Sequence, residues 1–245
     1  MNRANDGGEL NILVTGATRG IGLAIANTLQ DESANSKVIR HGTNSDPNVI
    51  GADFTEANAA ARLWTSALST ADGKIDVLVN NAGIFDSVPL ATADGDWHNG
   101  WMRSIAINLQ APADLSRLAI GHWRKRGVAG RIINIASRAA YRGDGIDHCH
   151  YAAAKAGLVG LSKTLARGLA NEGILVFTVA PGYVMTGMAN DYLAARGGES
   201  LLNDIPLGRV ADPEEIASLV RYLVLQAPAS MTGAVIDVNG ASFVR

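Results

Sequence analysis

Seven short runs of apolar, largely β-branched residues recur along the chain: Ile12–Thr15, Val38–Arg40, Val49–Ala52, Val77–Asn80, Ile132–Ile135, Leu175–Val179 and Val235–Val238. Their residues are apolar at consecutive positions, so each strand needs cover on both faces. Amphipathic stretches separate most of them: Ile21–Gln30, Glu56–Ala71, Trp97–Arg126, Tyr151–Asn171 and Pro213–Gln226. Strand alternating with helix predicts an α/β domain, a parallel sheet sandwiched between helices. The 245 residues, 47% of them hydrophobic, suit one such domain spanning 1–245. Asp212-Pro213-Glu214-Glu215 marks a helix start, with a cap, a proline at the first position and early acids.

One connection departs from the pattern. Only eight turn-prone residues, HGTNSDPN, separate Arg40 from Val49. A parallel crossover normally takes a dozen or more residues and a helix. Either the third strand is very short, or a bare loop crosses the sheet edge.

The remaining bulk properties exclude several classes. Lys plus Arg total 21 against 23 acids, a net charge of −2, which gives no global attraction to nucleic acid. Arg124-Lys125-Arg126 before Gly127 reads as the cationic end of a helix. Cys149 is the single cysteine, so no internal disulfide forms, in keeping with a reducing, cytoplasmic setting. His148-Cys149-His150 points its side chains apart, and no metal is implied. No apolar run approaches the ~20 residues of a membrane span.

The first strand runs into Thr15-Gly16-Ala17-Thr18-Arg19-Gly20-Ile21-Gly22 and then into a helix. Glycines allow a tight turn and a close backbone approach, and the helix start offers free N–H groups to a pyrophosphate. In HYAAAK, Tyr151 and Lys155 stand one helical turn apart on one face. A phenol ionises near pH 10, so it acts as an acid or base near neutrality only with a cation beside it. Ser137 closes a buried strand at its carboxyl end, where ligands of open α/β sheets gather. Asn108 interrupts the helical pattern IAINLQA, in which asparagine is a poor helix former.

Taken in order, TGATRGIG at 15–22, NNAG at 80–83, Asn108, Ser137, YAAAK at 151–155 and PGYVMT at 181–186 resemble the short-chain dehydrogenase/reductase family, most closely its 3-oxoacyl-carrier-protein-reductase-like members. The resemblance runs from Thr15 to about Gly240 and implies a single-domain, Rossmann-type, doubly wound parallel sheet of about seven strands, with the connection between the second and third shortened. It implies hydride transfer between a nicotinamide cofactor and a small carbonyl or secondary-alcohol substrate. Tyr151 is then the proton donor, Lys155 lowers its pKa and bonds the ribose, Ser137 holds the substrate oxygen, and Asn108 relays protons through a water. The cofactor contacts implied are Gly16, Thr18, Arg19, Gly20, Ile21, Gly22, Arg40, Asp53, Phe54, Asn81, Ala82, Gly83, Tyr151, Lys155, Pro181, Gly182, Val184 and Thr186. Asp53 reads equally as a cap for the segment after it. A substrate lid is expected over about 186–205, with Tyr141, Cys149 and Tyr183 as pocket candidates.

No acid follows the second strand at Val38–Thr43, and Arg19, Arg40 or Thr43 can meet a 2′-phosphate. NADP(H) is therefore favoured, with NAD(H) possible if the short connection brings Asp46 to the ribose. Val238-Asn239-Gly240-Ala241 stands where the family often has Val-Asp-Gly-Gly, a change that bears on subunit contacts. The long helices at 97–126 and 151–171 are expected to pair across two-fold axes in a homotetramer, with a dimer second. The alternative is a cofactor-binding regulator that has lost catalysis, which would need only the phosphate loop.

Overall fold

In the computed structural model, residues 9–30, 35–186 and 202–245 are described. Seven strands form one parallel sheet in the order β3-β2-β1-β4-β5-β6-β7. They are β1 (Leu10–Val14), β2 (Ser36–Gly42), β3 (Val49–Gly51), β4 (Val77–Asn80), β5 (Gly130–Ile135), β6 (Ile174–Pro181) and β7 (Val235–Val238). The period of two sorts their side chains between two cores. Ile12 and Val14, Val77 and Val79, Ile133 and Ile135, and Phe177 and Val179 pack under α1 (Gly20–Gln30) and the last helix, Pro213–Leu225. Leu13, Leu78, Ile132 and Val176 face the other way, toward α2 (Ala59–Thr70), α4 (Ala111–Arg126) and α6 (Cys149–Leu169).

The odd connection resolves through register. β3 is only three residues long and pairs Val49 with Arg40, two residues before the end of β2. The chain therefore descends about 6.6 Å, two residues of strand rise, and not a full strand length. Residues 43–48 manage this without a helix, closed by mutual main-chain bonds between Asp46 and Val49. Both alternatives read from the sequence hold at once: the strand is very short and the loop is bare.

The stretch expected as one helix over 97–126 is a continuous rod with a fault in it. α3 (Asp94–Ile105) passes into a π-helical turn, Ala106–Gln110, and then into α4. Such turns insert one residue into a helix and re-aim the side chains around it. At its far end α4 stops at Gly127 in the left-handed conformation, and Arg124 is bound to Glu172 at 2.6 and 2.7 Å. A short α5 (Ala139–Arg142) leads toward α6. The helix from Pro213, numbered α7 here, carries the capping box between Asp212 and Glu215.

Candidate active site

The sheet order reverses between β1 and β4, and the cleft opens above the carboxyl ends of these strands. On one side lies the turn from β1 to α1. Gly16 has φ +64°, and a Cβ there would stand 2.8 Å from Ala82 Cα. A Cβ on Gly22 would stand 2.0 Å from Gly16 O. The turn is thus folded so tightly that side chains are excluded at both positions. Asn81 braces it from β4: its Nδ2 donates to the carbonyls of Thr15 and Gly16 at 2.9 and 3.0 Å. Thr15 Oγ1 accepts from the N–H groups of Asn81 and Ala82, each at 3.0 Å. The start of α1 is left facing the cleft, a positive dipole end suited to phosphate.

On the other side, Ser137 follows β5 while Tyr151 and Lys155 rise from the first turns of α6. All three line the same cleft as the glycine loop. Lys155 is 4% exposed, and its Nζ donates to Ile135 O at 2.9 Å. Burial lowers its pKa to about 8. The ammonium lies 5.7 Å from the Tyr151 ring centroid. Burial pushes the Tyr151 phenol up to about 12, against a hydrogen bond with Ser137 that pulls it down. Desolvation of the phenolate is the largest of these influences.

Asn108 sits in the π turn, fully buried. Its Oδ1 accepts from Ile84 N–H at 3.2 Å, and its Nδ2 donates to Ile84 O and Ser104 Oγ at 3.1 Å each. It stands behind the cleft wall, beside Gly83: a Cβ there would meet Asn108 Oδ1 at 2.9 Å and Lys155 Nζ at 3.4 Å.

The cleft gathers nearly all the residues singled out from the sequence: Gly16, Thr18, Arg19, Gly20, Ile21, Gly22, Asp53, Phe54, Asn81, Ala82, Gly83, Pro181, Gly182, Val184 and Thr186 join Ser137, Tyr151 and Lys155 along its walls. Arg40 is not among the residues on these walls. Strand alternation places Arg40 with Val38 on the α1 side of the sheet, where its guanidinium donates to Asn27 Oδ1 at 2.8 Å. Asp46 is likewise absent from the lining. Asp53 lines the cleft and also accepts from the N–H and hydroxyl of Thr55, at 2.9 and 2.8 Å, which holds its carboxyl below the usual range. It caps a turn, since α2 begins only at Ala59.

Of the pocket candidates, Tyr183 lines the cleft, and Tyr141 and Cys149 do not. Tyr141 is held by the chain end, accepting from Arg245 at 2.9 Å and stacking near Phe243. His148 stacks on Phe85 at 3.9 Å, while His150 turns its edge to Trp101, so the two imidazoles diverge. Most of the segment expected as a lid, residues 187–201, lies outside the described residues. The sequence reading missed His41, Phe85, Arg103, Arg138 and Asp144, all on the cleft walls. Only Arg138 carried a signal, as the neighbour of Ser137.

A family model described as "Enoyl-(Acyl carrier protein) reductase" matches residues 16–241. Among curated relatives, the 3-oxoacyl-[acyl-carrier-protein] reductase of Escherichia coli (strain K12) is 36% identical over 95% of this chain and 96% of that protein. An uncharacterized short-chain type dehydrogenase/reductase of Sinorhizobium fredii is 34% identical over 94% of this chain and 89% of its own length. A crystal structure from Agrobacterium tumefaciens, provisionally described as a 2-deoxy-D-gluconate 3-dehydrogenase with bound NADP, superposes with TM-score 0.81 at 30% identity over 96% of each chain.

The glycine turn gives a direct test. Gly22→Ala places a methyl group against the Gly16 carbonyl and must displace the loop. We expect NADPH binding, followed by fluorescence titration, to weaken by at least about ten-fold, the cost of roughly one lost phosphate hydrogen bond. Unchanged affinity would mean that the loop does not hold the phosphates.

Proposed function

We propose that this chain, which belongs to the short-chain dehydrogenase/reductase family, is an NADPH-linked reductase of a polar carbonyl compound. It is an oxidoreductase acting on a carbonyl/alcohol pair with a nicotinamide dinucleotide. The observation that carries the finer reading is the convergence of Ser137, Tyr151 and Lys155 on one cleft with the glycine loop. The nicotinamide, when bound, supplies or takes the hydride.

The protein's own groups do the rest. Ser137 and Tyr151 hold the carbonyl oxygen, and the neutral phenol gives that oxygen its proton. The Lys155 ammonium, fixed on Ile135 O, stabilises the phenolate left behind and holds the ribose. Asn108, clamped to Ile84, orients the water through which Lys155 and Tyr151 recover the proton. The N–H groups at the start of α1, from Gly20 to Gly22, would hold the pyrophosphate, with Gly16 and Thr18 shaping the loop. Asp53 and Phe54 would hold the adenine, and the backbone of Asn81, Ala82 and Gly83 the riboses. Pro181, Gly182, Val184 and Thr186 would hold the nicotinamide.

The 2′-phosphate falls to Arg19 and Thr43. Both line the cleft, and among the described residues no carboxylate pairs with Arg19. The bound NADP of the Agrobacterium structure supports this choice over NADH. The relatives suggest two substrate classes, a 3-oxoacyl thioester and a hydroxylated sugar acid. Asp144 on the cleft wall favours the second, since a fatty chain would desolvate its charge without pairing it, whereas Arg138 is already buried and paired with Asp204 at 3.2 Å. We assign the assembly as a homotetramer, with a dimer second, built on the α3–α4 rod and α6. The lone thiol of Cys149 suits a cytoplasmic setting.

Tyr151→Phe should lower turnover by about 10²-fold or more while NADPH still binds. A panel containing a hydroxylated keto acid and a 3-oxoacyl thioester, assayed by NADPH oxidation, identifies the substrate class; near-normal turnover in the Phe variant sinks the mechanism. The free-enzyme pH profile follows from Lys155. Its charged form prevails below a pKa of about 8, so kcat/KM for reduction should hold through neutrality and decline above that pH. A profile flat to pH 10 would contradict this. For the cofactor, wild type should show the higher kcat/KM with NADPH, and Arg19→Ala should lose activity selectively with NADPH. An NADH preference in wild type rejects the assignment. Light scattering at micromolar concentration should show four subunits, and a monomer alone would refute the assembly.

A further inference from the structure

One buried imidazole, apart from the reacting groups, joins three segments at the cofactor end of the cleft. His41, the last residue but one of β2, is 3% exposed. Its Nδ1 accepts from Gly16 N–H at 3.1 Å. Its Nε2 stands 2.9 Å from the carbonyl oxygen of Ala52, just past β3. Its own carbonyl accepts from Ala17 N–H at 2.8 Å, and its ring stacks on Phe54 with centroids 4.6 Å apart. A main-chain N–H requires an acceptor at Nδ1, and a carbonyl requires a donor at Nε2. The network therefore selects the neutral ring with its proton on Nε2. Burial acts in the same direction, disfavouring the imidazolium.

We propose that His41 is a positioning residue that sets the glycine loop against the adenine wall, and so governs cofactor affinity and not the chemical step. Asn81 braces the loop from β4, and His41 is the matching brace from β2. It turns the Gly16 N–H inward, while Thr18 to Gly22 line the cleft. The need is local to this chain. β3 has three residues and no helix precedes it, so its end is tied down by the Ala52 bond and the Phe54 stack. Tyr151 and Lys155 stand on α6, across the sheet from β3, and are untouched by the ring.

The inference rests on the cleft being a nicotinamide-dinucleotide site, and its test separates the two. His41→Leu keeps bulk and removes both bonds. His41→Asn keeps an oxygen that can accept from Gly16 N–H. The KM for NADPH should rise about ten-fold in the Leu variant, with kcat at saturating NADPH close to wild type and the carbonyl KM unmoved. The Asn variant should recover part of that loss. A Leu variant with the wild-type NADPH KM, an Asn variant no better than Leu, or a loss confined to kcat would overturn the proposal. Should both variants fail to fold, nitrogen NMR of the wild-type imidazole decides it. A neutral ring protonated on Nε2 is expected, and a proton on Nδ1 would overturn the assignment. Near-normal turnover in Tyr151→Phe would instead defeat the catalytic reading and leave the His41 result standing.

Discussion

The site depends first on the brace between Asn81 and the turn after β1. Two carbonyls, of Thr15 and Gly16, accept from one amide group, and the Thr15 hydroxyl accepts from two N–H groups in return. These bonds join the two strands at which the sheet reverses its order. They are partly buried, and an unmade hydrogen bond at a fully buried site costs about 1–3 kcal/mol, an upper bound here. The glycines matter because of this brace. Gly22 has no Cβ because Gly16 O and Asn81 Nδ2 occupy the place where it would go. The loop that faces the cleft takes its position from this small network together with the His41 bond to Gly16.

The reacting end is held by a different balance. Lys155 is buried with the Ile135 carbonyl as its hydrogen-bond acceptor. The fall of its pKa from 10.5 to about 8 corresponds to about 3 kcal/mol against the ammonium. Tyr151 is displaced in the opposite sense, toward its neutral form. Without a dinucleotide, both groups are therefore driven toward neutrality by one cause, the loss of water. On the proposed reading, a phenol that keeps its proton is the state in which reduction begins, with Tyr151 as the donor and Lys155 as its stabiliser.

Much of this was legible in the sequence, for reasons that differ by residue. The doubly covered strands showed because their apolar runs do not alternate. Tyr151 and Lys155 showed because helical spacing is fixed. Ser137 showed because a strand end in this architecture has one destination. The side on which Arg40 lies was not legible, because a strand has two sides and sequence alone does not say which faces α1. His41, its neighbour, went unseen for the same reason. The short connection looked paradoxical because register cannot be read from length. Once Val49 pairs with Arg40, the descent is short. Phe85 and Asp144 come from loops, where no periodicity marks direction. The displacement of the tyrosine's ionisation depends on the depth of the cleft, which spacing does not encode.

The π turn at Ala106–Gln110 has a consequence for how this chain can change. An α-helix takes 3.6 residues per turn, and a π turn takes in one more. Deleting one residue inside the turn would therefore restore a regular helix and leave the phase beyond it nearly unchanged. Leu115, Ala119 and Trp123 would keep their places in the core. What such a deletion would lose is the bulge that carries Asn108, and with it the grip of that side chain on Ile84. The irregularity therefore lets the back wall of the cleft be shaped without disturbing the α4 contact with the sheet. A deletion within the turn is a length change this rod can absorb, whereas one elsewhere in α3 or α4 would rotate the stripe that faces the core.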